Sequence, residues 1–596
     1  MTASAGSADR FTVPATVEQL LLATSLFWLL SANRAFFGAA FGERALVEPT
    51  NLGFALALGT ALLALHFFLL ALVGNRWTVK PLVAVLIVTA AFASHFMQRY
   101  GVYLDPSMLR NVLRTDLTEA RELFAWSLLP HLLVYAVLPL LLLWRVRIVN
   151  RPWARAGLMR VGALLLASGV LVACIVAIYQ PLSSLMRNHR EMRYLITPAN
   201  VVWSLGAVLA GDARSAAAPR QPIGLDATPG PAAAARKKPL LVVMVIGETA
   251  RAANWGLSGY LRQTTPELAR LPVINFAQVT ACGTNTEVSL PCMFAPVGRR
   301  DYDEARIRGQ ESLLHVLARA GVGVFWRDNQ SGCKGVCAGL PQDQVSTLNP
   351  PGLCEAGRCL DEGLLHRLDE RIARVASDAS DTASKRSAGA PAQLLVLHQL
   401  GNHGPSYYKR YPPAFKRFLP ACESDDLHLC SRAQIVNAYD NALLYTDHLL
   451  GSLIAKLQAQ ATQVDSVLLY VSDHGESLGE NNLYLHGIPY AIAPDVQKQV
   501  PMLVWFSASA SAALGVDTAC LQRRATQPAS HDHLFHTMLG MFDVRTMLYA
   551  ADWDLAQGCR QGVRSAQPAA VAAVAAVAAV AAVASSASTA AQAASR

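Results

Sequence analysis

Charged residues are scarce in this chain: they make up 16% of its 596 residues, whereas about 25% is usual in soluble domains. Hydrophobic residues account for 53%. A chain of this length also exceeds one ordinary domain. The shortage of charge argues against a wholly soluble protein and predicts a membrane protein with a soluble part.

The chain also lacks a clustered basic helix of the kind that reads nucleic acid, although its formal net charge is +9. Its arginines concentrate in short loops between apolar runs. Basic loops of that kind are typical of the cytoplasmic side of membrane proteins. We therefore expect no nucleic-acid partner.

Cysteine is almost absent before residue 240, where Cys174 stands alone in an apolar run. The remaining ten of the eleven cysteines lie after residue 240, and an even number in one soluble region predicts disulfides and an oxidising compartment. Close spacing suggests the pairs Cys282–Cys292, Cys333–Cys337, Cys354–Cys359 and Cys422–Cys430, with Cys520–Cys559 paired by elimination. The alternative is a structural zinc site made of thiolates, but the chain lacks two well-placed C-x2-C knuckles.

Five apolar runs are each close to the ~20 residues that cross a hydrocarbon core. They lie roughly at 17–37, 52–73, 79–97, 123–144 and 157–179. We therefore expect five transmembrane helices in the first 181 residues.

The loops between these runs predict the orientation in the membrane. Loop 74–80 contains Arg76 and Lys80, and loop 145–156 contains four arginines and no acid. Both loops should face the cytoplasm. The N-terminus then lies inside, and everything after residue 180 lies on the oxidising side, in agreement with the cysteines.

Residues 182–211 are amphiphilic and too short to span, so we expect them to lie along the membrane surface. Residues 212–238 are rich in Ala, Pro, Gly and Arg, which predicts a flexible linker. The resulting domains are a transmembrane domain at 1–181, an interfacial helix and linker at 182–238, a catalytic domain at 239–565 and a low-complexity tail at 566–596. Val-Ala-Ala repeats in that tail match neither a helix face nor a strand face.

The soluble half alternates buried strands with helices. Valine-rich apolar runs occur at 241–247, 321–326, 393–399, 466–473 and 501–506. Helical stretches such as 312–320 and 432–457 separate them. This order predicts an α/β domain with a mainly parallel sheet and helices on both faces. Ligands of such sheets sit beyond the carboxyl ends of the strands.

Polar residues follow several of these strands. Glu248 comes directly after the first strand, and Asp473 and His474 directly after the fourth. Histidines expected near the same edge are His398, His403 and His486. Two carboxylates and a histidine suit zinc, whose catalytic sites keep a fourth position for the reacting group. Each residue alone has an ordinary structural explanation, but their convergence predicts a metal site.

The loop CGTNTEVSLPCMF offers a reacting group. A disulfide between its cysteines would fix the turn that contains Thr286. Metal coordination lowers the pKa of a hydroxyl and makes its alkoxide accessible as a nucleophile. The alternative is that Thr286 caps a helix starting at Glu287. Both roles are compatible, because a hydroxyl at a helix N-terminus also aims backbone N–H groups at an arriving phosphate.

Six long motifs occur in this chain in the order IGETAR, CGTNTEVSLPCMF, WRDNQSGCKGV, LHQLGNHGPSYYKRY, NAYDNALLYTD and YVSDHGESLGENNLYLHG. They resemble the phosphoethanolamine transferases of Gram-negative bacteria, the EptA/MCR group of the alkaline phosphatase/sulfatase superfamily. The resemblance implies an α-helical membrane domain with five transmembrane helices and a periplasmic α/β domain of the sulfatase type. It implies a multi-pass protein of the bacterial inner membrane, which we expect to be a monomer.

The resemblance also implies a zinc enzyme. In the family, zinc is held by residues that match Glu248, Thr286, Asp473 and His474, and a second zinc is an open alternative. The threonine attacks the phosphorus of phosphatidylethanolamine, diacylglycerol leaves, and a lipid A phosphate of lipopolysaccharide takes the phosphoethanolamine group. The Cys-x-Pro-x-Arg context of formylglycine sulfatases is absent from the sequence, which argues against a sulfatase.

Further residues match family positions around the phosphoryl group. His403 and His486 match contacts to that group or to a second zinc, and would act as general acid or base. Ser331 and Lys334 match phosphate contacts, where a lysine offsets the phosphoryl charge. We place His398 among the substrate-binding residues as well.

An N-x3-T-x3-E pattern in the 98–122 loop matches the family's ethanolamine-headgroup site. Its residues are Asn111, Thr115 and Glu119. Their spacing predicts one helix face, from which Glu119 would pair with the ammonium group. The alternative is an ordinary solvated helix face. Two residues depart from the family: Asn285 stands where a small hydroxyl residue is common, and Arg114 replaces a common acid.

Two alternatives to lipid A modification stay open. A related enzyme could use the same metal chemistry on the lipopolysaccharide core sugar or another envelope acceptor, or could transfer phosphoglycerol. A non-catalytic membrane sensor could keep an inactive hydrolase fold, but the retained ligand set argues against it.

Overall fold

A computed structural model of the chain describes residues 12–42, 48–115, 117–217, 219–355, 357–382 and 389–560. The tail predicted at 566–596 lies outside the described residues. A helical half is followed by a half built on a large β-sheet. This division agrees with the fold class that the sequence predicts.

Four helices in the described residues are long and apolar enough to cross a membrane: Pro49–Val73, Val79–Tyr100, Leu128–Arg145 and Trp153–Ala177. The first predicted span is instead two helices, Val17–Ser31 and Arg34–Phe41, bent by 56°. If this bent pair counts as one span, the number is the predicted five.

Asn33 explains the bend in the first span. Its buried side-chain amide donates to the carbonyl oxygens of Trp28 (2.9 Å) and Thr197 (2.8 Å). Its Oδ1 accepts from the backbone N–H of Thr197 at 3.0 Å. The side chain therefore replaces hydrogen bonds that a continuous helix would make through its backbone.

Between the second and third of these long helices, the chain forms two short helices, Pro106–Arg114 and Leu117–Glu122. Thr115 separates them with an extended backbone (φ −62°, ψ 131°), and its hydroxyl donates to the carbonyl of Asn111 at 2.9 Å. A threonine hydroxyl that bonds locally in this way competes with helical hydrogen bonding. The prediction that Asn111, Thr115 and Glu119 share one helix face is therefore wrong.

The amphiphilic segment forms helix Tyr179–Asn188, a 3-10 turn and helix Ala199–Ala217. Buried Ser204 donates to the carbonyl of Leu104 at 2.8 Å, which fixes the last helix against the preceding connection. Trp203, on the same helix, is 69% exposed. That residues 182–211 lie along the membrane surface stays a prediction.

The second part of the predicted flexible linker packs on the catalytic half. Residues Thr228–Pro229 pair as a short antiparallel strand with Val544–Arg545. The carboxylate of Asp226 accepts from the Met547 backbone N–H at 2.6 Å. The Ala- and Pro-rich composition suggests flexibility, but these tertiary hydrogen bonds and apolar contacts hold the segment in place.

An eight-stranded sheet forms the centre of the catalytic half. Its strands in chain order are β1 Leu240–Gly247, β2 Ile274–Thr280, β3 Gly323–Asp328, β4 Gln342–Gln344, β5 Ala392–His398, β6 Asp465–Ser472, β7 Gln499–Phe506 and β8 Ala529–Ser530. The order across the sheet is β8-β2-β7-β6-β1-β5-β3-β4, and β7 alone is antiparallel to its neighbours. β5, β1 and β6, which precede the predicted site residues, are therefore adjacent and parallel.

Both faces of this sheet are covered by helices. Val243 of β1 packs in the apolar cluster that contains helix Arg432–Ala459, and Val242 packs in the opposite cluster with helix Asp532–Phe542. Burial on both faces explains why β1 is apolar at consecutive positions. Other helices of this half include Thr286–Met293, Glu304–Gly309, Leu313–Arg319, Leu368–Thr382 and Thr518–Arg524.

Disulfides join the five cysteine pairs that the spacing predicts: Cys282–Cys292, Cys333–Cys337, Cys354–Cys359, Cys422–Cys430 and Cys520–Cys559. Cys174, in a membrane-spanning helix, has a free thiol. The alternative of a thiolate zinc site is therefore wrong.

Candidate metal centre

Two adjacent parallel strands bring three metal-ligand side chains together. Gly247 at the end of β1 pairs in register with Ser472 at the end of β6, so Glu248 and Asp473 leave the sheet side by side. One ligand atom from each of Glu248, Asp473 and His474 lies within 4.8 Å of the others. All three side chains are completely buried.

The distances among these donors fit a tetrahedral ion. Thr286 Oγ1 lies 3.2 Å from Glu248 Oε1 and 3.4 Å from His474 Nε2. His474 Nε2 lies 3.3 Å from Glu248 Oε1 and 3.4 Å from Asp473 Oδ2. Bonds of about 2.0–2.1 Å to a tetrahedral zinc imply donor separations of about 3.3 Å. These four separations therefore match the spacing that such an ion requires.

Electrostatics and hydrogen bonding also point to a cation at this place. Burial, together with the charge of Glu248, raises the pKa of Asp473 to about 7. Asp473 Oδ2 is buried without a hydrogen-bond partner. Leaving a carboxylate oxygen buried and unpaired is costly, and coordination of a metal ion would remove that cost.

The ring of His474 is oriented so that its Nε2 faces Glu248 and Asp473. Its Nδ1–H donates to the carbonyl of Gly475 at 2.9 Å, which leaves Nε2 directed at the two carboxylates. Burial alone would lower the pKa of His474, but Asp473 and Glu248 outweigh it and raise the pKa to about 10. A backbone hydrogen bond on the second ring nitrogen is typical of histidines that bind metals.

Thr286 is the first residue of helix Thr286–Met293, and Asn285 is its N-cap. The Asn285 side chain accepts from the Val288 N–H at 3.0 Å. The alternative that Thr286 itself caps the helix is therefore wrong, and its hydroxyl donates to the carboxylate of Glu248 instead (3.1 Å to Oε2). The disulfide Cys282–Cys292 closes the loop around this hydroxyl.

The three predicted histidines occupy different places. His398 is buried behind the cluster, where its Nδ1–H donates to Asp328 at 2.9 Å and its Nε2 is 4.0 Å from Glu248. The rings of His403 and His486 lie 5.4 Å apart, and that of His486 lies 4.4 Å from His474. His403 and His486 thus form a row of rings that leads away from the metal ligands.

Glu119 reaches this row from the membrane half. Its carboxylate lies 3.1 Å from His403 Nε2. Burial would lower the pKa of His403, but Glu119 outweighs it and raises that pKa. Burial likewise opposes the ionisation of Glu119, but His403 outweighs it and lowers the pKa of Glu119 to about 2. Each member of the pair therefore stabilises the charged form of the other.

Lys334 and Ser331 contact each other beside the helix that starts at Thr286. Lys334 Nζ donates to Ser331 Oγ at 2.6 Å and lies 3.4 Å from Glu287 Oε1. A cleft of about 320 Å³ opens next to them. It is lined by residues that include Arg114, Glu119, Gln330, Ser331, Arg358 and His403. Among the three residues of the N-x3-T-x3-E pattern, Glu119 is the one that lines it.

Sequence reasoning missed several residues that hold the site in place. Asp328 holds His398, Glu476 accepts from His486 Nδ1 at 2.8 Å, and Gln330 approaches Glu248 Oε2 at 3.5 Å. Asp328 and Gln330 belong to WRDNQSG and Glu476 to SDHGES. The position of these motifs after strands was the available signal, but the partners of Asp328 and Gln330 are distant in sequence.

Comparisons with known proteins agree with this architecture. The family model for phosphoethanolamine transferase EptA/EptB matches residues 62–213, and the sulfatase model matches residues 241–544. Phosphoethanolamine transferase EptA of Escherichia coli strain K12 is 37% identical over 91% of this chain and 96% of its own length. Phosphatidylethanolamine transferase Mcr-1 of Escherichia coli is 35% identical over 88% and 94%.

A solved structure matches both halves of the molecule. The integral membrane lipooligosaccharide phosphoethanolamine transferase A (EptA) from Neisseria meningitidis superposes with a TM-score of 0.85 at 36% sequence identity. The match covers 92% of this chain and 99% of that protein. This chain therefore belongs to the phosphoethanolamine transferase family of EptA and Mcr-1, and it is a membrane-embedded transferase with a sulfatase-type domain.

Proposed function

We propose that the protein transfers phosphoethanolamine from phosphatidylethanolamine to a phosphate of lipid A, with Thr286 as the nucleophile. The observation that carries this proposal is the position of the Thr286 hydroxyl, within 3.4 Å of both Glu248 and His474. The names of its full-length relatives, EptA and Mcr-1, support the donor and the transferred group.

Zinc is the ion that this donor set suits best. Two carboxylates, one imidazole and one hydroxyl give four donors at tetrahedral spacing. When bound, zinc lowers the pKa of a coordinated hydroxyl and offsets charge on the phosphoryl group. A second zinc beside His403 and His486 remains part of this proposal.

In the first half of the reaction, Thr286 Oγ1 forms a bond to the donor phosphorus, and the bond from phosphorus to the diacylglycerol oxygen breaks. The threonine hydroxyl loses its proton, and the diacylglycerol oxygen gains one. Lys334 and Ser331 lie where they would hold the phosphoryl oxygens, and Glu119 where it would face the ammonium group. His403, whose pKa is raised by Glu119, is placed to supply the proton.

In the second half, an oxygen of the acceptor phosphate forms a bond to the same phosphorus, and the bond to Thr286 breaks. The threonine oxygen takes up a proton, which restores the hydroxyl. His486, held by Glu476, is placed to take part in this proton transfer. The covalent phosphothreonine-type intermediate separates the two halves.

Both substrates are amphiphiles, which suits a site beside a membrane domain. The basic loops at 74–80 and 145–156 favour a cytoplasmic N-terminus. The five disulfides favour an oxidising compartment for the catalytic half. We therefore place the catalytic half in the periplasm, on the outer side of the inner membrane.

The test compares Thr286→Ala with Thr284→Ala, a change in the same loop that removes a hydrogen bond to the carbonyl of Ile488. Each full-length variant is expressed in cells, and lipid A is analysed by mass spectrometry. We expect Thr286→Ala to lose at least about a thousandfold in transfer rate, as loss of a nucleophile does, while Thr284→Ala retains transfer. Added phosphoethanolamine should appear on lipid A.

Two outcomes would contradict the proposal. Transfer by Thr286→Ala would remove the nucleophile assignment. Unmodified lipid A with a modified core sugar, or with phosphoglycerol added, would keep the chemistry but replace the substrates.

A further inference from the structure

Thr286 reaches the metal ligands from a strand that is not their neighbour in the sheet. Glu248 and Asp473 follow β1 and β6, which pair directly with each other. Thr286 instead follows β2, through a loop formed by residues 281–285, and β7 separates β2 from β6. Strand pairing therefore sets the distance between the two carboxylates. The distance from Thr286 to them depends on contacts outside the strand pairing.

His531 makes such contacts from the edge of the sheet. It follows β8 directly, and its backbone N–H donates to the carbonyl of Thr280, at the end of β2, at 3.0 Å. His531 is also the N-cap residue of helix Asp532–Phe542, and its side chain is completely buried. The strand pairing and the start of the helix together fix the position of the ring.

Both ring nitrogens of His531 bind backbone groups beside the site. Nδ1 accepts from the N–H of Cys282, in the loop that leads to Thr286, at 3.1 Å. Because this bond places the ring proton on Nε2, the Nε2–H donates to the carbonyl of Ser472 at 3.0 Å. Ser472 is the last residue of β6 and precedes Asp473. The ring therefore bridges the loop and the strand, and both nitrogens are occupied by this task rather than by proton transfer.

A second bridge lies next to this ring, on the helix that begins at Thr286. Ser289 lies about one helix turn after Thr286. Its hydroxyl donates to the backbone carbonyl of Asp473, and its Oγ lies 3.4 Å from His531 Nδ1. His531 and Ser289 thus tie the loop and the helix on either side of Thr286 to the backbone of residues 472–473.

We propose that His531 is a positioning residue that sets the place of Thr286 relative to Glu248 and His474. This inference rests on the proposed function, in which Thr286 attacks phosphorus. Attack requires reacting atoms about 3–3.5 Å apart, and a misplacement of about 1 Å lowers the rate about a hundredfold. An imidazole suits the task, because its rigid ring accepts one hydrogen bond and donates another on a different side.

The experiment measures the first half of the reaction in purified full-length variants. Release of labelled diacylglycerol from fluorescent phosphatidylethanolamine in micelles gives kcat and KM. Thermal unfolding and zinc content are measured on the same preparations. The variants are His531→Leu, which loses both ring hydrogen bonds, His531→Asn, whose amide oxygen takes the place of Nδ1, and His531→Gln, whose amide nitrogen takes the place of Nε2.

The matched control is His536→Leu, a change in the helix that His531 caps. His536 is buried as well, and its Nδ1 also accepts a backbone N–H, that of Ala550 at 3.1 Å. Ala550 lies in the segment that follows this helix, not in the loop before Thr286. We expect His536→Leu to lower the unfolding temperature about as much as His531→Leu does, while kcat changes less than about twofold.

His531→Leu should lower kcat about 10- to 100-fold and change KM less than about twofold, because the bridge serves the bond-forming step rather than donor binding. His531→Asn and His531→Gln should fall between His531→Leu and the wild type, since each restores one of the two hydrogen bonds. Zinc content should match the wild type in every variant, because β1 and β6 hold Glu248, Asp473 and His474 without the bridge.

A wild-type kcat in His531→Leu would overturn the inference. So would an equal loss of kcat in His536→Leu, or a loss of zinc from His531→Leu. If His531→Leu does not fold, His531→Asn and His531→Gln decide, and a wild-type kcat in both would overturn the inference. If the wild type releases no diacylglycerol, or Thr286→Ala releases it at the wild-type rate, the proposed function fails instead, so the two failures are distinguishable.

Discussion

At the residue scale, Asn285 and Thr286 have separate roles at the start of one helix. Asn285 satisfies the Val288 N–H as the N-cap, and this leaves the Thr286 hydroxyl available to Glu248. Serine, threonine and asparagine are all good N-caps. Asparagine at position 285 therefore serves this cap as well as a small hydroxyl residue would.

The cap should be replaceable by serine but not by alanine. Asn285→Ser should keep the unfolding temperature and the transfer rate close to those of the wild type. Asn285→Ala should lower the free energy of unfolding by about 1 kcal/mol and should lower kcat more than it changes KM, because Thr286 is held less firmly. Thermal unfolding and steady-state kinetics on both variants measure this. Equal kinetics for the two variants would contradict the division of roles.

The Glu119–His403 pair gives a pH-dependent stability. His403 has a raised pKa, so its contribution is complete below its unfolded value of about 6.5 and is lost as pH rises through the folded value. The pKa of Glu119 is lowered from 4.5 to about 2, so its contribution is complete above 4.5 and is lost as pH falls towards 2. The pair should therefore stabilise the protein most between about pH 4.5 and 6.5.

The Glu119→Gln variant tests the pH range over which the pair stabilises the protein. The difference in unfolding temperature between wild type and variant should be largest between about pH 4.5 and 6.5, where it corresponds to about 1–3 kcal/mol. It should shrink at higher pH, once His403 is neutral. Differential scanning fluorimetry at a series of pH values measures it. A difference that does not vary with pH would show that the contact is not ionic.

At the scale of elements, an ion-pair ring joins the membrane half to the helix that carries Thr286. The ring alternates in charge around four helices, in the order Glu287, Arg114, Asp212, Arg110, Glu304 and Arg308. Arg114 is one member of this ring. Its role here is to contact Glu287, next to the nucleophile, from the helix that precedes Glu119.

Breaking the ion-pair ring at a residue distant from the metal ligands should lower the activity on a membrane-bound donor. Asp212→Asn should lower kcat/KM for phosphatidylethanolamine about two- to fivefold, because half-exposed ion pairs contribute about 1 kcal/mol or less. Cleavage of a small water-soluble phosphodiester should be unaffected. Asp301→Asn, at an exposed acid outside the ring, is the control. Equal losses on both substrates would mean that the ring serves stability alone.

At the scale of the whole molecule, metal and disulfides should serve different purposes. A chelator should abolish transfer while the unfolding temperature falls only moderately, since the sheet core and five disulfides do not depend on the ion. Reduction of the disulfides should lower the unfolding temperature more than chelation does. Activity should return when zinc is added back. The opposite order of unfolding temperatures would make the metal a structural element.

Local sequence patterns were enough to predict the elements whose interactions are local. The valine-rich runs predicted β1, β5 and β6 because a strand buried on both faces must be apolar throughout. The close cysteine pairs predicted the disulfides for a similar reason, since the shorter loops bring their ends together at little entropic cost. The helix face proposed for Asn111, Thr115 and Glu119 was wrong, because spacing does not reveal the hydrogen bond that breaks the helix at Thr115.

Sequence alone determined that this protein has a membrane half and an α/β half, and that polar groups follow particular strands, because burial and strand register impose periodic patterns on neighbouring residues. Only the tertiary structure decided which distant groups meet. It placed Glu119 on His403, Glu122 between Arg358 and Arg410, and Asp226 against Met547. Such contacts join residues more than a hundred positions apart, and nothing in the local chemistry of either partner specifies the other.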